Sequence, residues 1–133
     1  MAGIIAAQPN ELGFTGAAPG ATIGMYKVSG CGGTTTNEMI AAAINMAYEA
    51  GSHIISMSAG DDSGWSSDPW AVSASRVAAA GTPLIIANGN SGDLGLWYPA
   101  TPASGREVTA VGSVENTVVP MLLERGLYAV NNG

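Results

Sequence analysis

A parallel α/β sheet with helices on both faces is the fold class this sequence predicts, and three observations carry the prediction. Strand-like and helix-like segments alternate along the chain, the order that yields parallel strands joined by right-handed crossovers. Pro83-Leu84-Ile85-Ile86-Ala87 is almost unbroken in apolar residues, as suits the centre of a sheet covered on both sides. The strand-like segments run into loops rich in Gly, Ser, Asn and Asp. Such sheets bind ligands outside the carboxyl ends of their strands.

The elements follow in order. Residues 21–28, Ala-Thr-Ile-Gly-Met-Tyr-Lys-Val, read as a strand that enters the glycine-rich loop 29–36. Asn37 is placed to cap a helix over 38–50, with Gly51 as its stop. Met39, Ala43, Met46 and Ala50 share one face of that helix, with Ile40, Ile44 and Ala47 beside them, so it is expected to be largely buried. Residues 53–58 form the next strand and 59–67 its loop. A second helix begins near Asp68-Pro69, with proline in its first turn, and ends before Gly81. Residues 83–87 and 108–114 supply two further strands, with the loop 88–96 after the first of them. The segment 118–133 has a different character and closes on the turn-forming Asn131-Asn132-Gly133.

Composition excludes several classes. The 133 residues are 47% hydrophobic and 11% charged, too apolar for a disordered chain. The net charge is −6, and the four basic residues, Lys27, Arg76, Arg106 and Arg125, are scattered. Nucleic acid and anionic membrane surfaces are therefore not expected partners, because both need clustered cations. The single cysteine, Cys31, rules out an internal disulfide and multi-cysteine metal sites. No apolar run reaches the length of a membrane span. Residues 1–7 are apolar, lack preceding basic residues and stop at Gln8-Pro9, which is not the pattern of a signal peptide.

Candidate chemistry concentrates in the loops. Gly30-Cys31-Gly32-Gly33-Thr34 between a strand and a helix is a place for phosphate, but it lacks the P-loop lysine and the dinucleotide spacing. His53 is the one histidine and starts a strand, away from the carboxyl-end loops, so a structural or surface role is favoured over general-base work. Asp61, Asp62 and Asp68 lack EF-hand spacing and read as a solvated loop. Trp65, Trp70 and Trp97 either line a groove or cover the sheet ends. More informative are Ser58-Ala59-Gly60 and Asn88-Gly89-Asn90-Ser91-Gly92, both directly after strands. Their glycines allow close backbone approach, and Asn90 offers an amide donor of the type used in oxyanion holes.

At these residues the chain resembles the subtilisin-like serine proteases, the S8 peptidases. Met1-Ala2-Gly3-Ile4 is similar to the end of the family's His-Gly-Thr-His-Val-Ala-Gly block. Gln8-Pro9-Asn10-Glu11-Leu12-Gly13-Phe14 resembles its calcium loop, and Gly16-Ala17-Ala18-Pro19 the turn after it. Ile55-Ser56-Met57-Ser58-Ala59-Gly60 resembles Ile-Asn-Met-Ser-Leu-Gly, and Ala87-Asn88-Gly89-Asn90 resembles Ala-Ala-Gly-Asn. Tyr98-Pro99-Ala100 and Val108-Thr109-Ala110-Val111-Gly112 continue the match to about residue 117.

The resemblance implies a subtilisin-like three-layer fold, incomplete here, with 1–117 as the central part of a peptidase domain. Residues 118–133 would be a tail, or the start of an inserted protease-associated region. It implies Asn90 as the oxyanion donor. Ser58, Ala59 and Gly60 would form one wall of the primary specificity pocket, and Ala87, Asn88 and Gly89 the other. Gly32, Gly33 and Thr34 would pair with an extended peptide. Asn10, with carbonyls of Gln8, Leu12 and Phe14, would contribute to a structural calcium site; no other cofactor is implied. The family's Asp, His and Ser appear in that chain order, and none of the three motifs is in this sequence. The expected function is thus a fragment of a secreted endopeptidase acting on polypeptides, inactive alone. The alternatives are a non-catalytic module that binds extended peptides, and a small nucleotide-binding protein using residues 30–36.

Overall fold

The computed structural model describes residues 1–11 and 13–117. The expectations placed on Leu12 and on 118–133 lie outside them. Three short strands, β1 (Ile55–Met57), β2 (Leu84–Ala87) and β3 (Thr109–Val111), form a parallel sheet in the order β1-β2-β3. Ile55 pairs with Leu84 and Met57 with Ile86, while Ile85 pairs with Thr109 and Ala87 with Val111. A short helix α1 (Ala2–Ala6) precedes the long α2 (Asn37–Glu49) and α3 (Pro69–Ala79).

The α/β class and the parallel sheet are as the sequence predicts. The two long helices, however, lie against each other and share a face of the sheet. The reason is topological: α3 is the crossover between β1 and β2, whereas the β2–β3 link contains just a 3₁₀ turn over Gly92–Leu94. Beneath the helices, Leu84 and Ile86 are fully buried and pack with Ile40, Ile44, Ala47, Ile55, Trp70, Ala74 and Val77. Ile85 and Ala87, which point the other way by strand alternation, are half-buried.

The segment 21–28 does not enter the sheet. Strand-like composition needs a neighbouring backbone to complete a ladder, and here β1 is paired on one side alone. Tyr26 and Val28 still pack on the core, and the Tyr26 hydroxyl donates to the Met46 carbonyl at 3.5 Å. A cleft of about 150 Å³ separates residues 24–28 from α2 and β1.

Two corrections concern α2. Its N-cap is Thr36, not Asn37: the threonine is extended and its Oγ1 accepts the Met39 N–H at 3.4 Å. The buried stripe is Ile40, Ile44 and Ala47, while Met39 and Met46 are 52% and 58% exposed. Helix spacing admits both stripes; packing selected the one carrying Ile40 and Ile44. Both stop signals hold. Gly51 has φ 75° and Gly81 φ 99°, and each closes its helix, with Ser52 N–H donating to Ala47 and Thr82 N–H to Val77. Pro69 is the first residue of α3.

Thr36 also hydrogen-bonds the Glu38 carboxyl, holding it below its ordinary value, with a backbone hydrogen bond adding to the effect. Thr36→Ala is expected to cost about 1 kcal/mol by losing the cap, read as a lower urea midpoint. The Glu38 carboxyl should at the same time titrate at higher pH, as followed by NMR.

Candidate active site

The site is built where β1 and β2 end. Ser58, Ala59 and Gly60 leave β1 as one loop, and Asn88, Gly89 and Asn90 leave β2 as the other. Between them opens a cavity of about 400 Å³, lined by residues 58–62, Ala87 and residues 89–91. Asn90 also borders a cavity of about 260 Å³ towards Val111 and Ser113. A third, of about 670 Å³, lies towards Leu96 and Tyr98 and includes Asn88. Gly89 and Asn90 are thus the two residues shared by all three spaces.

A third segment, residues 99–104, holds the two loops together from below. Asp61 and Thr101 exchange backbone hydrogen bonds of 3.0 and 2.8 Å. Ala100 N–H donates to the Asn88 carbonyl at 3.3 Å, and Asn88 N–H to Val111 at 2.9 Å. Thr101 is fully buried, and its hydroxyl lies 2.7 Å from that of Ser63 and 3.1 Å from that of Ser104. Backbone and short hydroxyls therefore set the loop spacing, a stiffer arrangement than long side chains would give. Gly60 is required by this packing: a Cβ there would sit 2.8 Å from the Thr101 carbonyl oxygen. Gly89 has φ 91°, a backbone conformation open to glycine.

The cavity is closed at one rim by a side-chain link between the loops. The Ser91 hydroxyl donates to Asp62 Oδ2, while the Asp61 carboxylate accepts the Asp62 N–H at 2.9 Å. Sequence reasoning did not find Ser91, Asp62 or Thr101 as site residues. Asp62 reads as an ordinary loop acid until its partner 29 positions away is known. Thr101 does follow the Tyr98-Pro99-Ala100 motif, and a polar residue within that small-residue run was the available signal.

Other sequence candidates lie apart. Gly32, Gly33 and Thr34 are exposed in a turn closed by Gly33 N–H to Gly30 at 3.0 Å and Gly30 N–H to Thr34 at 3.3 Å. They line none of the cavities described here. His53 and Cys31 are exposed. Trp70 is buried in the core, whereas Trp65 and Trp97 are 69% and 90% exposed. In the 8–14 loop, the Asn10 side-chain oxygen accepts the Phe14 N–H at 3.4 Å, and the Gln8 amide donates to the Pro19 carbonyl at 2.5 Å. Calcium takes about six to eight oxygens and favours carboxylates. The Asn10 oxygen and the Gln8 and Phe14 carbonyls are oxygens of a kind calcium accepts, and Leu12 lies outside the described residues.

Comparison with known proteins agrees with this geometry. The sequence matches the subtilase family over residues 1–132. The minor extracellular protease Vpr of Bacillus subtilis is 32% identical over 131 residues, 97% of this chain and 16% of that protein. The thermostable alkaline protease of Halalkalibacterium halodurans is 39% identical over 111 residues, 84% of this chain and 30% of that protein. For alkaline elastase YaB of a Bacillus strain the identity is 34% over 133 residues, 100% of this chain and 35% of that protein. The chain spans well under half the length of these relatives. A family match over nearly every residue, joined to a parallel sheet with its cleft at the strand ends, leads to one conclusion: the chain belongs to the subtilase family of serine proteases.

Proposed function

We propose that this chain is the section of a subtilisin-like endopeptidase that holds the substrate's side chain and the oxyanion beside its scissile bond. The observation that supports it most is that Asn90 and residues 58–60 line one cavity at the carboxyl ends of neighbouring strands. In this reading the polypeptide substrate lays one side chain between Ser58–Gly60 and Ala87–Gly89. The scissile carbonyl then lies at Asn90, whose amide N–H donates to the oxygen as negative charge develops on it. Gly32, Gly33 and Thr34, with exposed backbone, would receive the extended substrate through main-chain hydrogen bonds. The parent enzyme is read as secreted, like the relative named an extracellular protease, and subtilases generally need no cofactor.

The same reading makes the chain inactive by itself. In subtilisin itself, losing the catalytic serine or histidine lowers turnover about 10⁶-fold, against about 10²–10³ for one oxyanion donor. Those magnitudes are carried over from that enzyme. The 133-residue polypeptide is expected to leave a chromogenic peptide uncut and a fluorophosphonate probe unbound, while an unlabelled tetrapeptide shifts the amide resonances of residues 58–60 and 87–90. Serine labelling at an enzyme's rate, or shifts confined to residues 30–36, would overturn the proposal.

A further inference from the structure

The cavity between the two loops has one feature that subtilase membership does not specify. Its walls are short: Ala59 and Gly60 on one side, Ala87 and Gly89 on the other. No lysine, arginine or histidine lines it. At its rim stands the Asp62 carboxylate. Oδ2 is held by the Ser91 hydroxyl from the opposite loop. Oδ1 lies 3.3 Å from the place a Cβ on Gly89 would occupy, and so overlooks the cavity from across the gap. Among the described residues no hydrogen-bond donor pairs with Oδ1. The Asp61 carboxylate also lines the cavity, with its Oδ1 accepting the Asp62 N–H, and adds negative charge beside Asp62.

We infer that Asp62 is the specificity-determining residue of this pocket, selecting a substrate side chain that ends in a cation, lysine or arginine. The inference rests on the proposed reading of the cavity as the primary side-chain pocket. A lysine or arginine stem is apolar and suits the Ala59 and Ala87 walls, while its charged head stays near water at the rim. There it meets a carboxylate already fixed by Ser91, so little side-chain entropy remains to be lost on pairing. A charge-assisted hydrogen bond is roughly twice as strong as a neutral one. The chain's overall charge of −6 adds attraction in the same direction. An acidic substrate side chain would face both the local carboxylate and that field.

The test uses the whole 133-residue chain and three acetylated tetrapeptide amides that differ at one position: arginine, methionine or glutamate. Binding is followed by amide NMR shifts at low salt. The arginine peptide is expected to bind about tenfold tighter than the methionine peptide, with the glutamate peptide weakest. In Asp62→Asn the arginine and methionine affinities should converge. In the unsubstituted chain the arginine advantage should shrink at about 1 M salt, where charges are screened within about 3 Å; this arm involves no variant that must fold. Equal arginine and methionine affinities, or an arginine advantage that survives both Asp62→Asn and high salt, would overturn the role of Asp62 and leave the pocket reading standing. Binding of none of the three peptides would remove both.

Discussion

The Leu84→Ala chain is expected to be about 3–5 kcal/mol less stable than the unsubstituted one. Leu84 has no solvent exposure, opens the central strand of the sheet and pairs in register with Ile55. It packs in the same cluster as Ile40, Ile44 and Val77, so both long helices lose contacts when its side chain is cut back. The cost combines lost transfer energy with a void that a close-packed interior fills only in part. Domains of this size are stable by about 5–15 kcal/mol in total, so a loss of this size is severe. A lower urea midpoint at unchanged slope is the expected readout, and a loss below about 1 kcal/mol would contradict the packing described.

Gly60→Val is the second substitution with a large expected effect. The new Cβ would lie 2.8 Å from the Thr101 carbonyl oxygen and 3.2 Å from Ala100 Cβ, and neither is the tip of a flexible side chain. Relief requires Asp61 and Thr101 to part, breaking their two backbone hydrogen bonds. Overpacking of this kind costs about 1–3 kcal/mol, and each lost hydrogen bond about 1 kcal/mol more. The wall carrying Ser58, Ala59 and Gly60 then shifts against Asn90, and tetrapeptide binding should weaken at least about tenfold. Gly3→Ala provides the comparison. A Cβ on Gly3 meets nothing within 4 Å inside α1, so stability should hold or rise by about 0.5–1 kcal/mol.

Local signals were the most legible part of the fold. Gly51, Gly81 and Pro69 mark helix ends through backbone geometry that depends on a few neighbouring residues. The three observed strands lie inside the segments expected for them, though shortened. What failed depended on partners elsewhere in the chain. Residues 21–28 have strand composition but gain no ladder, because pairing is a property of two backbones. The choice between the Met39 and Ile40 stripes of α2 rests on what α3 and the sheet present to it. At the site, motif resemblance pointed to Ser58–Gly60, Ala87, Gly89 and Asn90, and these residues line one cavity. It did not find the Asp62–Ser91 link or the buried Thr101 hydroxyl. Those are side-chain meetings between distant loops, with no periodicity to announce them.

The sheet has a further consequence that follows from its two outer members. Among the described residues β1 and β3 each have a single neighbour, so each turns a rim of backbone donors and acceptors outward. Such rims capture any extended backbone that drifts close, another molecule of the same polypeptide included. Thr109, Ala110 and Val111 are exposed and leave the β3 rim open to approach. Mutual repulsion between molecules of charge −6 opposes that capture. Acidification towards the isoelectric point near 4.3 weakens this protection.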